Sequence, residues 1–362
     1  MKNLIKLNTL LLMVFVSSVM IISSCKKDDK IVEGDKTALT ANIVVADALS
    51  ATATTALFPQ ADITTYKTTL AAIKTTAATP LTQLEIDNLN NSLNEAMKTF
   101  KSKAYGFIDE SLYLIAGWHF DEGTGTTATS FSTAAQVATF TKGWTVLLGA
   151  NAALPTWVNG VKGGKAIYLN NGAHLEVPYS PSFLPADITI SAWIKNDLAG
   201  WENNCIVSQN YWWGYKFQTQ SGGRPLLTER INAATANDKD NDGVAVKAGE
   251  WTHVVASLNS TTKVMKFYTN GVLIKTWTES DGGIGPLTRT LSFVDGANTY
   301  TAQPFLIGSF ATDAEIAAKP GNFDWITTAN VASFKGAMDE LKVYNIALAD
   351  GQVGKLYNDE KP

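Results

Sequence analysis

The chain has 362 residues, 45% of them hydrophobic, and a formal net charge of −4. This composition is typical of a folded protein, and the length leaves room for two domains. The one pair of adjacent basic residues is Lys26-Lys27, and nucleic acid is therefore excluded as a partner, because binding it requires a basic surface. With Cys25 assigned to a lipid anchor, as argued next, Cys205 has no partner, which excludes a disulfide framework and a thiolate zinc site.

The first 24 residues have the pattern of a secretory signal. Two lysines precede an apolar run from Leu10 to Ile22, which is shorter than the roughly 20 residues that a membrane-spanning helix needs. The run ends at Ile22-Ser23-Ser24-Cys25, which resembles a bacterial lipobox. The resemblance implies that Cys25 is lipidated and anchors the chain to a membrane; the alternative is an ordinary signal peptide with a chance cysteine.

A short charged run, residues 26–30, follows Cys25 directly. A run of this kind is usually a solvated tether. Behind a lipobox it resembles the acidic export tag on surface lipoproteins of glycan-harvesting Gram-negative bacteria. We therefore expect a signal peptide over 1–24, a lipidated tether over 25–37, and an outer-membrane lipoprotein exposed on the cell surface.

Residues 38–104 have helical periodicity. One apolar stripe has spacings of three and four residues and consists of Ile86, Leu89, Leu93, Met97 and Phe100. Thr82 with Glu85 predicts a capping box at the start of this helix. A second stripe, with Asp62 as its expected N-cap, consists of Tyr66, Leu70 and Ile73, and a weaker one of Ile43, Ala46 and Leu49. Together they resemble a FIVAR-type three-helix module, which implies a spacer over 38–104.

The periodicity changes to two from about residue 110. Ile188 to Ile194 alternates apolar and polar residues, which predicts a half-buried strand. Asn170-Asn171-Gly172 and Asn270-Gly271 each separate two short strands and predict hairpins. Many short strands with glycine-rich turns predict a mainly β fold, two antiparallel sheets in a jelly-roll sandwich over 110–360.

The same region resembles the bacterial laminin-G-like domain of the concanavalin A-like lectin/glucanase superfamily. The resemblance spans about 112–358 in the expected order, and its motifs are Ala116–Gly125, Gly163–Leu169, Ile188–Ile194, Gly249–Val255, Tyr268–Gly271 and Phe334–Asn345. It implies a jelly roll that binds a polysaccharide or oligosaccharide. The alternatives are a protein-binding scaffold or adhesion module and a glycoside hydrolase with an unrecognised site.

Domains of this type often hold a structural Ca²⁺, and the resemblance implies Asp121 and Asp339 as its ligands. Strict alternation places Asp339 on the same strand face as Leu341 and Val343, where a carboxylate needs a cation or hydrogen-bond donors. The alternative is a carboxylate that accepts backbone N–H bonds at a strand end.

A second acidic pattern, Asp238, Asp240 and Asp242 followed by Gly243, matches the start of an EF-hand loop. The twelfth position, where that loop needs glutamate, is Gly249. We therefore favour an acidic turn between strands over a calcium site.

The expected sugar-binding residues are Trp201, Tyr211 and Trp212, aromatic residues in a region rich in Asn and Gln. Their neighbours Trp213, Tyr215 and Phe217 alternate along a strand and are expected to pack instead. Further loop candidates without a motif are Arg224, Arg230 and Trp325. No G-x-S-x-G or P-loop motif is present, and we expect a binding protein that is not an enzyme.

Overall fold

The computed structural model describes residues 32–362 except 56, 198–203, 211–213, 231–235, 244, 283, 285–292, 296–297, 301–302, 319–320, 322–325, 329–330 and 332, and only the backbone at 221, 293–295 and 298–300. The chain divides into two compact units, one ending at Lys103 and the other comprising Ala104–Pro362. Across the residues described, none of the helices combines the length and the apolar character that crossing a membrane requires.

The described residues of the first unit, from position 32 onward, form three helices, α1 (Thr37–Thr52), α2 (Gln60–Ala77) and α3 (Gln83–Lys101). The capping box is confirmed, because the Thr82 hydroxyl accepts from the Glu85 N–H and the Glu85 carboxylate accepts from the Thr82 N–H. The predicted stripe of α3 is buried at Ile86, Leu93, Met97 and Phe100. Helix α3 thus buries one face, as its spacing predicts.

The expected N-cap of α2 is wrong. The helix begins at Gln60, directly after Pro59, and the Asp62 N–H donates to the Pro59 carbonyl. Asp62 therefore lies in the first turn, where its charge still complements the helix dipole. Proline, which has no N–H, is well suited to the start of a helix.

The described part of the second unit contains four α-helices and 18 strands. The helices are α4 (Glu110–Tyr113), α5 (Thr145–Leu148), α6 (Asp313–Ala318) and α7 (Asp350–Glu360). The strands are β1 (Leu114–Trp118), β2 (Thr127–Thr129), β3 (Val137–Thr141), β4 (Thr156–Asn159), β5 (Lys165–Leu169), β6 (His174–Val177), β7 (Ile188–Asn196), β8 (Asn204–Gln209), β9 (Tyr215–Gln220), β10 (Arg224–Arg230), β11 (Ala236–Asp240), β12 (Thr252–Asn259), β13 (Val264–Thr269), β14 (Val272–Trp277), β15 (Phe293–Asp295), β16 (Asn298–Tyr300), β17 (Phe305–Ile307) and β18 (Gly336–Tyr344).

These strands form two large antiparallel sheets. Sheet A has the order β14-β13-β12-β7-β18-β5-β4, with β1 also paired to β18, and sheet B has the order β11-β10-β9-β8-β17-β6-β3-β2. A short ribbon of β15 and β16 is separate. The predicted fold class, a mainly β jelly-roll sandwich after three helices, is confirmed.

One apolar core fills the space between the sheets. Its large, fully buried members include Trp118, Phe183, Phe217, Phe267 and Phe305. Strand β7 is buried on both faces, although its alternation predicts one exposed face. The reason is α7, whose Tyr357 stacks on Trp193 and whose Glu360 accepts a hydrogen bond from the same indole.

Of the two predicted hairpins, one is confirmed and one is wrong. Strands β13 and β14 pair across Asn270-Gly271, and both turn residues have positive φ, 50° and 74°. The Asn170-Asn171-Gly172 turn instead leads from β5 in sheet A to β6 in sheet B, and these two strands do not pair. The same left-handed turn residues therefore serve a connection between the layers of the sandwich.

Candidate functional site

Asp121 and Asp339 lie near one another at the edge formed where β1 and β5 flank β18. Trp118, three residues before Asp121, is the register partner of Leu341, two residues after Asp339. The negative charge of Asp121 contributes to the raised pKa of Asp339. The structure therefore brings the two predicted calcium ligands together.

A β-bulge gives Asp339 its orientation. The pairing of β18 with β7 shifts register between Asp339 and Lys342, and Glu340 within this bulge has a φ of 46°. Met338, Leu341 and Val343 all belong to the core, so Asp339 lies on the opposite face. The predicted shared face with Leu341 and Val343 is wrong, because the bulge adds one residue to the alternation.

The backbone beside each aspartate is in the left-handed region. Phe120, which precedes Asp121, has a φ of 53°, and Glu340, which follows Asp339, has a φ of 46°. Neither is a glycine, and such conformations cost of order 1–3 kcal/mol each. Backbone strain of this kind clusters at functional sites. Here one strained residue is adjacent to each of the two aspartates.

The two aspartates hold opposite ends of the loop between β4 and β5. The Asp339 Oδ2 accepts from the Val161 N–H at 2.8 Å, and the Asp121 Oδ1 accepts from the Lys165 N–H at 2.7 Å. The backbone at position 160 lies so close to the rest of the loop and to the Asp339 carboxylate that this position requires glycine. A Cβ there would lie 2.6 Å from the carbonyl oxygens of Gly163 and Lys165 and 2.7 Å from the Asp339 Oδ2.

Burial and the neighbouring carboxylates make a charge on Asp339 unfavourable at this edge. Burial raises the pKa of Asp339 to about 7, and the nearby charges of Glu340 and Asp121 add to the rise, while backbone hydrogen bonds oppose it. A hard cation would reverse this shift, and carboxylate and carbonyl oxygens are the ligands that Ca²⁺ takes. Among the described side chains, no group of three or more His, Cys, Asp or Glu could hold a metal ion, so backbone carbonyls or water would complete the ligand set.

A chain of charged groups runs from this edge across the outer face of sheet A. Glu340 contacts the His119 Nδ1 at 2.9 Å and the Lys342 Nζ at 2.7 Å. Although burial opposes ionisation, these two partners hold the pKa of Glu340 at about 2. Lys342 also donates to Glu360 of α7. The burial of Lys342 was not predicted, and its one signal in the sequence is a charged residue between apolar Leu341 and Val343.

Ser191, His253 and Glu360 have the composition of a hydrolase triad without its geometry. The Ser191 Oγ lies 2.8 Å from the His253 Nε2, and the nearest Glu360 oxygen lies 4.0 Å from the same ring nitrogen. In a triad the serine and the acid contact different nitrogens of the ring. All three side chains are buried, so this group supports no nucleophilic chemistry.

The D-x-D-x-D-G segment does not converge on one point. Asp238 accepts from the Thr228 hydroxyl, Asp240 pairs with Arg224 at 3.4 Å, and Asp242 pairs with Lys275 at 2.8 Å. Lys275 also lowers the pKa of Asp242. Each carboxylate thus has its own protein partner, as in the acidic turn that we favoured.

The three aromatic residues expected to bind sugar, Trp201, Tyr211 and Trp212, lie outside the described residues, as do Trp213 and Trp325. The described residues next to them lie at opposite ends of β8: Asn204 follows the link that contains Trp201, and Gln209 precedes the link that contains Tyr211 and Trp212. Tyr215 and Phe217 are fully buried, as expected of packing residues.

A cluster of planar polar groups lies at the Asn204 end of sheet B. Asn204 is the register partner of Thr219, and the next residue, Gln220, is the partner of Arg224. The Asp240 Oδ2 accepts from the Gln220 Nε2 at 2.6 Å and pairs with the Arg224 guanidinium. The Arg224 side chain is 41% exposed and that of Asp240 18%, whereas Arg230 is buried at 7%. We call Gln220, Arg224 and Asp240 the planar cluster.

Solved structures that match part of this chain include domain 4 of AbnA, a GH43 extracellular arabinanase from Geobacillus stearothermophilus, in complex with arabinotriose. It has a TM-score of 0.46 and 20% identity over 69% of this chain and 100% of that one. The binding domain of Paraclostridial Mosquitocidal Protein 1 has a TM-score of 0.45 and 15% identity, over 68% of this chain and 52% of that chain. A structure of botulinum neurotoxin type C, whose cell entry depends on two ganglioside molecules, has a TM-score of 0.45 and 12% identity over 69% and 52% of the respective chains.

No match was found among curated proteins. Residues 169–354, more than half of the chain, match the family model Laminin_G_3, described as the concanavalin A-like lectin/glucanases superfamily. The two antiparallel sheets agree with that match. The chain belongs to the concanavalin A-like lectin/glucanase superfamily.

Proposed function

We propose that this chain is a surface-anchored, non-enzymatic protein whose jelly roll binds carbohydrate. The observation that carries the proposal is the position of the planar cluster. Gln220, Arg224 and Asp240 lie at the end of sheet B where the link containing Trp201 joins β8. Membership of a superfamily of lectins and glucanases supports the carbohydrate-binding part of the proposal.

The chemistry of the cluster suits vicinal hydroxyl groups. A carboxylate, an amide and a guanidinium each present two polar atoms side by side, and each can pair with two neighbouring hydroxyls. The Asp240 Oδ1 accepts from the Asp242 N–H at 2.8 Å, and its Oδ2 accepts from Gln220, so the carboxylate is fixed before a ligand arrives. Preorganised polar groups lose less free energy on binding.

Trp201 would supply the apolar part of this site. A binding site needs apolar contact area and a few convergent polar groups, and the planar cluster provides the polar part. Tyr211 and Trp212 belong to the link at the other end of β8, which at six residues is about 20 Å long. We therefore assign Trp201 to the site of the planar cluster, and Tyr211 and Trp212 to a second contact with a longer glycan.

Affinity electrophoresis through gels that contain single polysaccharides tests the proposal. The wild-type chain is expected to be retarded by at least one polysaccharide in a broad panel, and Trp201→Ala to migrate freely in that gel. Lys195→Gln is the matched control, because Lys195 is exposed on β7 of the other sheet. Free migration of the wild type in every gel contradicts the proposal.

Two other outcomes correspond to the alternative functions. If the wild type captures outer-membrane proteins and retains no glycan, we would conclude that the jelly roll is a protein-binding scaffold. Release of oligosaccharides at catalytic amounts of protein replaces the proposal with a glycoside hydrolase.

We also propose that Asp121 and Asp339 hold a structural Ca²⁺ beside the loop between β4 and β5. The ion would neutralise two carboxylates that repel each other, while their bonds to Val161 and Lys165 fix the loop. Metal analysis of the gel-filtered chain, before and after chelation, is expected to find about one calcium per chain, and none in Asp339→Asn. Absence of calcium from the untreated wild type rejects the ion site and leaves the glycan proposal standing.

For the attachment we propose a signal peptide over 1–24, lipidation at Cys25, a tether over 25–37 and the three helices as a spacer, with the chain exposed on the outer membrane. The Ser23-Ser24-Cys25 sequence after an apolar run supports this assignment. Cys25→Ala is expected to move the protein from the membrane to the soluble fraction, and Cys205→Ala to leave it membrane-bound. Retention of Cys25→Ala in the membrane contradicts lipidation.

A further inference from the structure

Strands β7 and β8 belong to different sheets, and the chain between them contains Trp201. Strand β7 ends at Asn196 in sheet A, and β8 begins at Asn204 in sheet B. We call residues 198–203 the Trp201 link. The link lies outside the described residues, but the residues at its two ends, Asp197 and Asn204, are described. The contacts of these two residues fix where the link starts and where it ends.

One residue, Lys335, bonds to both ends of the Trp201 link. The Lys335 N–H donates to the Asn204 Oδ1 at 2.7 Å, and the Lys335 carbonyl accepts from the Asp197 N–H at 3.1 Å. The next residue, Gly336, is the register partner of Asn196, and this pairing brings Lys335 beside Asp197. The two ends of the link are therefore joined through a single residue that is distant from both in sequence.

The side chain at the first end of the link has a partner of its own. The Asp197 Oδ2 accepts from the Tyr168 hydroxyl at 2.7 Å. Burial is the main cause that raises the pKa of Tyr168 to about 12, and the bond to Asp197 adds to the rise, so the hydroxyl keeps its proton and remains a donor at neutral pH. Because Tyr168 lies on β5, this bond connects the start of the link to another strand of sheet A.

Two buried asparagines connect the base of the link to both sheets. Asn196 and Asn204 are fully buried. The Asn196 Nδ2 donates to the Thr219 Oγ1 at 3.2 Å, and Asn204 is the register partner of the same threonine. Asn196 belongs to sheet A, whereas Asn204 and Thr219 belong to sheet B. The base of the link is therefore attached to both layers of the sandwich.

The bonds at the two ends of the link lie beyond the paired part of the strands. The pairing of β7 with β18 ends at Asn196 and Gly336, and the Tyr168–Asp197 and Lys335–Asn204 bonds form outside it. They therefore act on the link more than on the sheet. A segment whose ends are fixed in advance loses less conformational entropy when it orders on a ligand, which strengthens binding without adding a contact.

We propose that Tyr168 and Asn204 are positioning residues of the glycan site: through Asp197 and Lys335 they fix the two ends of the link, so that Trp201 is held in place before the glycan binds. This inference rests on the proposed carbohydrate site at the planar cluster. Neither residue needs to touch the glycan. Their contribution is to lower the entropy that the Trp201 link loses on binding.

Tyr168→Phe and Tyr268→Phe form a matched pair that tests this proposal in the full chain. Each removes one tyrosine hydroxyl that donates to an aspartate, Asp197 at 2.7 Å or Asp350 at 2.9 Å, but only the first acts on the link. In calorimetric titration with the polysaccharide that most retards the wild type in the affinity gels, Tyr168→Phe is expected to bind about three- to tenfold more weakly, with a larger entropic loss. Tyr268→Phe is expected to bind as the wild type does. Without glycan, hydrogen exchange of the Asp197 amide is expected to be faster in Tyr168→Phe alone.

A second pair tests the other end of the link. Asn204→Leu removes the acceptor of the Lys335 N–H and is expected to weaken binding about tenfold. Asn204→Asp keeps a side-chain oxygen at that position and is expected to recover most of the affinity.

Three results would overturn the positioning role and leave the carbohydrate site standing. They are wild-type affinity in Tyr168→Phe, equal weakening in Tyr268→Phe, and folded Asn204→Asp that binds no better than Asn204→Leu. If the wild type binds no polysaccharide, the carbohydrate site is rejected and the positioning role with it.

Discussion

Asp339 and Asp121 fix the two ends of a single loop. The Asp339 carboxylate accepts from the Val161 N–H at 2.8 Å, and the Asp121 carboxylate accepts from the Lys165 N–H at 2.7 Å. Asp339 lies in the closing strand β18, and Asp121 lies shortly after the opening strand β1. These two strands pair although they are far apart in sequence. This edge therefore joins the beginning and the end of the jelly roll.

The pH dependence of stability without calcium is expected to carry a contribution from Asp339. Burial raises its pKa to about 7 from 3.8, so its contribution is fully present below 3.8 and is lost as pH rises through about 7. In chelator, the thermal midpoint of the jelly roll is expected to rise by several degrees between about pH 8 and about pH 5, and Asp339→Asn to reduce this rise. Equal pH profiles of the two proteins contradict the assignment.

Saturating calcium is expected to stabilise the wild type most at neutral and alkaline pH, where the ion replaces the missing proton. In Asp339→Asn the midpoint is expected to be insensitive to calcium. A calcium effect that survives this substitution would locate the ion elsewhere.

Gly160→Ala is expected to destabilise the jelly roll by about 1–3 kcal/mol. The new Cβ would lie 2.6 Å from two backbone carbonyl oxygens and 2.7 Å from the Asp339 carboxylate, and backbone atoms cannot move aside as a flexible side chain can. Gly243→Ala is the matched control, since its Cβ would meet no atom closer than 3.7 Å. Chemical denaturation of both variants measures the effect, and equal stability would show that the loop adjusts freely.

Leu93→Ala is expected to lower the free energy of unfolding of the helical unit by about 2–5 kcal/mol, because it leaves a cavity at a fully buried position. Leu84→Ala, at a position that is 70% exposed, is the control and is expected to cost less than about 0.5 kcal/mol. Loss of helical circular dichroism with denaturant follows this unit. Similar midpoints for the two variants contradict the assigned core of the three helices.

Local sequence patterns predicted the individual helices and strands. The sheet that each strand joins depends instead on pairing with strands that are distant in sequence. The stripe of α3 and its capping box are encoded within 20 residues, and both are confirmed. Asn171 and Gly172 have the positive φ that their residue types favour, but the turn connects two sheets because β5 pairs with β18 and β6 with β17. No local pattern contains that choice.

The candidate site also combines features that local motifs predict with features that depend on pairing between distant strands. The sequence motifs brought Asp121 and Asp339 to attention, and the two do lie at one edge. The face on which Asp339 lies could not be predicted from strict alternation of residues along β18. The bulge at Glu340 shifts every later residue of the strand by one position. The planar cluster was missed for a related reason: Gln220, Arg224 and Asp240 come from three strands, and only their register makes them neighbours.

Calorimetric titration of the full chain with a glycan retained in the affinity gels tests the central claim most directly. Arg224→Gln is expected to weaken binding about tenfold or more, since a hydrogen bond to a charged group contributes about 1.5–3 kcal/mol, while Lys195→Gln binds as the wild type does. Equal affinities of wild type and Arg224→Gln, or heat of binding from no glycan at all, would contradict a carbohydrate site at the planar cluster.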